Sequence, residues 1–303
     1  MITEKGPVFN SKILLFGEYS LMKGSKALCI PYDKFNGQLL FDNSAKGVQS
    51  KHQSVVYLLE FLEFLENNDF VQTINTQEFR SDLGRGLYFN LNIPISYGLG
   101  SSGAIVAAIY NSYSKLESTK NFSELKSTFS KMESYYHGKS SGLDPLVSYL
   151  NRAILLSENN ILRTIDLLKE SAKNDIDIFL IDTKSIGETQ PLVNWFLKKY
   201  ENNDYREKIQ KQLIPLNNNC IVNYLAGKDA ELIKEIKKLS EFTFECLNPM
   251  IPTSIKEIWK EGLKTDNFYL KLCGSGGGGM MLGFSKSFEN IRHEFQDYKV
   301  HSL

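Results

Sequence analysis

Residues 94–104 read PISYGLGSSGA, with Gly98, Gly100 and Gly103 set around Ser101 and Ser102 just ahead of an apolar stretch. Those residue types suit an anion. Backbone N–H groups at a helix N-terminus point outward, and the helix dipole favours negative charge there. Glycine admits phosphate oxygens close to the backbone, and a serine hydroxyl can complete a Mg²⁺ shell. The same residues can also be no more than a serine-capped helix start. A second run, CGSGGGG at 273–279, places Gly274, Gly276, Gly277, Gly278 and Gly279 between two apolar segments. A hairpin needs one or two glycines, and each extra one costs roughly 0.5–1 kcal/mol against alanine. That cost predicts backbone passing close to a ligand; a flexible hairpin is the plainer alternative.

Gly98, Gly100 and Gly103 also spell GxGxxG, which alone is a weak dinucleotide signal. The dinucleotide reading needs an unbroken parallel strand before the turn and an acidic residue ending a second strand about 20 positions later. Pro94 interrupts the approach, and the region around Glu117 is polar. The triphosphatase loop GxxxxGK[ST] fails for want of the lysine, and the protein-kinase reading lacks HRD and DFG.

Three stretches, SKILLFGEYSLMKGSKAL, PISYGLGSSGAI and KLCGSGGGGMM, resemble in order and spacing the signature motifs of the GHMP small-molecule kinases. The resemblance implies an α+β, two-domain fold: a ribosomal-S5-like ATP-binding domain over 1–165 and a ferredoxin-like domain over 166–303, with the active site between them. It implies ATP and Mg²⁺, with phosphates held by Pro94, Gly98, Leu99, Gly100, Ser101, Ser102, Gly103 and Ala104. Asp144, in HGKSSGLD, matches the family's catalytic aspartate, and Lys12 matches the lysine between that aspartate and the γ-phosphate. Ser102 and Glu133 match the Mg²⁺ ligands. Glu18, Tyr19, Thr189, Gly274, Ser275, Gly276 and Gly277 fall where relatives meet the substrate. His137 matches a family histidine and, lacking a visible partner, reads as structural. The run HGKSSGLD is most like that of the mevalonate kinases, which makes mevalonate the implied alcohol. Phosphomevalonate, homoserine, a sugar, or a ligand sensor without catalysis stay open. The chain departs from the subgroup at Tyr19 (usually His), Gly103 (usually Ala) and Asn151 (usually Gly).

These residues need elements to hold them. SKILLFGEYSLMKGSKALCIPY (11–32) reads as strand, turn, strand, with a further strand at 37–41. Apolar spacing predicts helices over 54–66, from 104 onward, and over 122–136; 86–93 alternates like a strand. Asp144 followed by Pro145 reads as an N-cap and the first helical position. IDIFLIDT (176–183) opens the second half as a strand. Charged helices follow, and FYLKLCGSGGGGMMLGF closes it as two strands joined by glycine.

Bulk composition narrows the partners. Lys plus Arg and Asp plus Glu are 35 each, without a block of one sign, so neither nucleic acid nor a membrane surface is expected as partner. Cys29, Cys220, Cys246 and Cys273 are scattered with no metal spacing, which suits a reducing compartment. No apolar leader opens the sequence and no run is long enough to span a bilayer, so a cytoplasmic location is expected. The expected partners are ATP and a small-molecule alcohol, and a homodimer is allowed.

Overall fold

The computed structural model describes residues 2–42, 48–116, 121–166 and 175–303. Two compact units divide the chain, neither of them contiguous. One takes 1–12, 31–94 and 100–151; the other takes 13–30, 95–99 and 152–303. The single cut expected at residue 165 differs from this in leaving 13–30, 95–99 and 152–165 with the first half.

Strands β1 (Ile2–Glu4), β2 (Phe9–Phe16), β3 (Ala27–Asp42) and β4 (Leu87–Leu91) open the chain. In the first unit, the far half of β3 pairs antiparallel with β1, from Ile2↔Asp42 to Glu4↔Leu40, and with β4, from Gly37↔Leu91 to Phe41↔Leu87. The separate strand expected at 37–41 is therefore the end of a 16-residue strand. Gly37 lies within that strand as a seat: a Cβ there would lie 2.3 Å from the Phe89 ring.

Five helices complete this unit: α1 (Val48–Asn67), α2 (Thr76–Gly84), α3 (Ser101–Tyr113), α4 (Phe122–His137) and α5 (Leu143–Leu150). On α1 the buried Leu58, Phe61, Leu62 and Leu65 recur at helical spacing and form its inner face. Helix α3 is buried nearly all round, as its run of alanine, valine and isoleucine requires. Asn121 caps α4 by accepting from the N–H groups of Ser123 and Glu124. The buried stripe of α4 is Leu125, Phe129, Met132 and Glu133. One carboxylate thus lies on an apolar face.

The second unit carries β5 (Ala153–Leu156) against the near half of β3, and β6 (Leu162–Ile165) against β5. Its main sheet has β7 (Asp177–Asp182), β8 (Phe268–Leu272), β9 (Met280–Ser285) and β10 (Lys299–Ser302) in the order β10-β7-β9-β8, every neighbour antiparallel. Counted by appearance this order is 4-1-3-2, the ferredoxin-like arrangement expected for the second half. Helix α6 (Thr189–Tyr200) follows β7, and further helices at 229–246 and 256–265 precede β8. Phe179, Phe268, Phe284 and Trp259 are fully buried in this unit.

Candidate active site

In the first unit, Lys12 near the middle of β2 reaches Asp144 in the first turn of α5, with Nζ 2.8 Å from Oδ2. The lysine is 4% exposed, whereas the Asp144 side chain is 31% exposed. A buried ammonium is thus paired with a carboxylate that stays partly open to solvent. Asp144 is not the N-cap that its Pro145 neighbour suggests. The cap is Gly142 in the left-handed region (φ 71°), and the helix begins at Leu143. Pro145 still fits the first turn, where its missing N–H has no intrahelical partner to lose.

Ser102, in the first turn of α3, donates to Glu133 Oε1 at 2.9 Å, and its Oγ lies 3.0 Å from His137 Nε2. With the serine proton spent on Glu133, Nε2 is the donor of the second bond. His137 therefore has a partner that the sequence did not reveal. Ser102 does not cap its own helix; the cap is Gly100, left-handed at φ 76°, with no side-chain bond to the first turn. The serine-capped alternative is thereby removed.

Glycine sets the spacing here at two points. A Cβ on Gly103 would lie 2.8 Å from the Asp144 carbonyl carbon and from Pro145 N, so α3 and α5 meet through the missing side chain. A Cβ on Gly100 would lie 2.8 Å from Lys12 Cγ, so the turn rests on the lysine's methylenes. Ser101, Ala104 and Pro94 also belong to this unit, with Ala104 fully buried. Asn151 ends α5 in the left-handed region (φ 47°), which asparagine tolerates and which accounts for its replacing the subgroup's glycine.

Burial pushes the Glu133 carboxyl up to about 7, and the charge of Asp144 adds to this; hydrogen bonds from Ser140 and Ser102, and the charge of Lys12, act in the opposite sense. Two carboxylates share one lysine, an arrangement short of positive charge. It fits Mg²⁺, which is held by one or two carboxylates with phosphate oxygens completing the shell rather than by a dedicated protein cage. No cluster of three or more His, Cys, Asp or Glu side chains suited to a metal occurs among the described residues.

The remaining expected residues gather in the second unit. Tyr19 Oη donates to the Ser275 carbonyl at 2.7 Å, and Thr189 Oγ1 lies 2.9 Å from Ser275 Oγ. Tyr19 has φ 59° and ψ −43°, with Ser20 N–H donating to Glu18 O at 2.6 Å across it. That is a three-residue turn of the strained hand. Burial raises the Tyr19 phenol, which keeps it a donor. The Glu18 carboxylate is buried 2.5 Å from Lys271 Nζ, a partner not expected from the sequence. The signal was present, because a lysine inside the wholly buried strand FYLKL must find an acid.

The glycines also have a steric reason within the fold. Gly98 would place a Cβ 2.4 Å from Cys273 O, Gly276 2.4 Å from Met250 O, Gly278 2.5 Å from Gly187 N, and Gly279 2.4 Å from Tyr97 Cα. At these four positions other protein backbone makes the close approach. Gly277 and Gly274 are both left-handed (φ 77° and 76°), so the turn is a fixed object and no floppy hairpin. Leu99 is fully buried beside it.

Residues 67–152 match the GHMP kinases N terminal domain. The mevalonate kinase of Thermococcus sibiricus is 25% identical over 299 residues, which is 91% of this chain and 87% of that protein. That of Thermococcus onnurineus is 23% identical over 210 residues, 63% of this chain and 61% of that one, so this match spans less than two thirds of the relative. Methanococcus jannaschii mevalonate kinase superposes with a TM-score of 0.63 at 18% identity, covering 100% of this chain and 97% of that one. Streptococcus pneumoniae phosphomevalonate kinase, solved with phosphomevalonate and AMPPNP, gives 0.64 at 13% identity and covers 100% of both. Over residues 67–152 the chain is thus similar to the GHMP kinases N terminal domain, and its fold is the α+β fold of the mevalonate and phosphomevalonate kinases.

Proposed function

We propose that this chain is an ATP-dependent kinase that transfers the γ-phosphoryl group to an alcohol, with mevalonate as the acceptor and 5-phosphomevalonate as the product. The observation that carries the reading is the Lys12–Asp144 pair at 2.8 Å in the same unit as the Ser102–Glu133 bond at 2.9 Å. Phosphoryl transfer asks for little covalent chemistry. It needs the attacking hydroxyl oriented, its proton accepted and the phosphoryl charge balanced. In this reading Asp144 orients the acceptor hydroxyl and takes its proton. Lys12, fixed by burial beside Asp144, faces developing negative charge. Ser102 and Glu133 hold Mg²⁺, which when bound neutralises phosphate charge; the backbone of 98–104 binds the phosphates. Tyr19, Thr189 and Ser275 belong to the acceptor side. Mevalonate is supported by the two curated relatives of that name, and a cytoplasmic role in isoprenoid precursor synthesis goes with it.

A coupled ADP-release assay across mevalonate, phosphomevalonate, homoserine and galactose tests the acceptor. Mevalonate should turn over, and Asp144→Asn should lower kcat by about 10³-fold or more with nucleotide affinity kept. Turnover of another acceptor with mevalonate inert would replace the substrate while leaving the kinase.

A further inference from the structure

Ser140 has no part in the roles above, yet its hydroxyl is fixed on both sides. Its oxygen accepts the Gly142 N–H at 2.9 Å, and its proton goes to Glu133 Oε2. A serine hydroxyl has one proton to give, so a lone pair already engaged by Gly142 leaves the O–H aimed at the carboxylate. The backbone that carries it is pinned as well. Ser130 Oγ donates to the Ser140 carbonyl at 2.6 Å. Gly142 lies so near α4 that a Cβ would fall 2.2 Å from Lys126 O and 2.8 Å from Ser130 N. The turn 138–142 is thus held against the middle of α4, and what it presents to Glu133 is Ser140 Oγ. The carboxylate's other oxygen is held from α3 by Ser102.

We infer that Ser140 is a positioning residue for the metal-binding carboxylate. It fixes Glu133 by Oε2 so that Oε1 and Ser102 Oγ are presented together to one metal-bound nucleotide. The inference rests on the kinase reading. Groups that hydrogen-bond a metal ligand from behind typically contribute about 10–100-fold in metal affinity. Ser140 also makes Glu133 and Asp144 parts of one frame, because Asp144 follows Gly142 by two positions on the same turn into α5.

Mn²⁺ with a non-hydrolysable ATP analogue is the probe, its bound fraction read by electron paramagnetic resonance on the full chain. Ser140→Ala should weaken Mn²⁺ binding about 10-fold or more, and Ser140→Thr, which keeps the hydroxyl, should restore it to within about threefold of the native protein. Affinity for the analogue without metal should be alike in all three proteins, a readout that general misfolding would not preserve. Equal Mn²⁺ affinity in native protein and Ser140→Ala overturns the inference with the kinase reading intact, as does failure of Ser140→Thr to rescue. Absence of Mn²⁺-dependent binding by the native protein overturns the kinase reading itself.

Discussion

Glu133 occupies a place on α4 that Leu125, Phe129 and Met132 define as apolar, and this placement has a measurable cost in charge. Its carboxyl is raised from 4.5 to about 7, first by burial and then by Asp144. A carboxyl that holds its proton more tightly folded than unfolded gives most stability while protonated. The metal-free protein should therefore lose stability as pH rises from about 4.5 to about 7, the window between the two values. Urea unfolding from about pH 5 to about pH 8 checks this, and Glu133→Gln should flatten the trend. Parallel curves for native and variant protein would refute the assignment. At this scale the sequence was partly legible. Lys12, Ser102, Glu133 and Asp144 stood out because they fall in motifs. Ser140 did not, because a small hydroxyl has no pattern of its own; Lys271 signalled a need for an acid, and only the fold supplies which one.

Elements impose a different constraint, that of approach. Helices α3 and α5 touch where Gly103 has no side chain, and Ser102 and Asp144 flank that contact. Gly103→Ala inserts a carbon 2.8 Å from the α5 backbone, where no flexible side chain can yield. Overpacking of this kind costs about 1–3 kcal/mol. The shift it forces on Asp144 should lower kcat about 10-fold or more, because small misplacements of reacting groups are expensive. Steady-state kinetics beside urea denaturation would measure both, and unchanged turnover would mean that α5 tolerates the displacement. Periodicity located α1 and α4 well, since each buries a stripe of apolar residues at helical spacing. It failed at starts and joins. Asp144 precedes proline but is not the cap, because Gly142 already turns the chain. Gly37 interrupts a β pattern but not a strand, because the Phe89 ring fills the space above it.

For the molecule as a whole, a saturating ligand is a thermodynamic load on the folded state. At about a hundred times its Kd, an Mg²⁺-bound ATP analogue should stabilise the chain by about 2.7 kcal/mol. For a protein of this size that corresponds to a rise in Tm of about 5 °C. Differential scanning fluorimetry should register the rise with nucleotide and none with NADH, which separates the kinase from the GxGxxG dehydrogenase alternative. Antiparallel pairing of β4 with β3 already removes the parallel strand which that alternative needs. The 4-1-3-2 sheet was legible only through the family resemblance, since strand order depends on pairings far apart in sequence. The glycine run has a consequence for heredity. Gly276, Gly278 and Gly279 each sit with a neighbouring main chain where one more carbon belongs, so almost every amino-acid substitution at these positions should be lethal to the fold. A saturation library ought to return the parental letter at these sites, giving genome searches a fingerprint that rests on steric fit and owes nothing to the chemistry of the substrate.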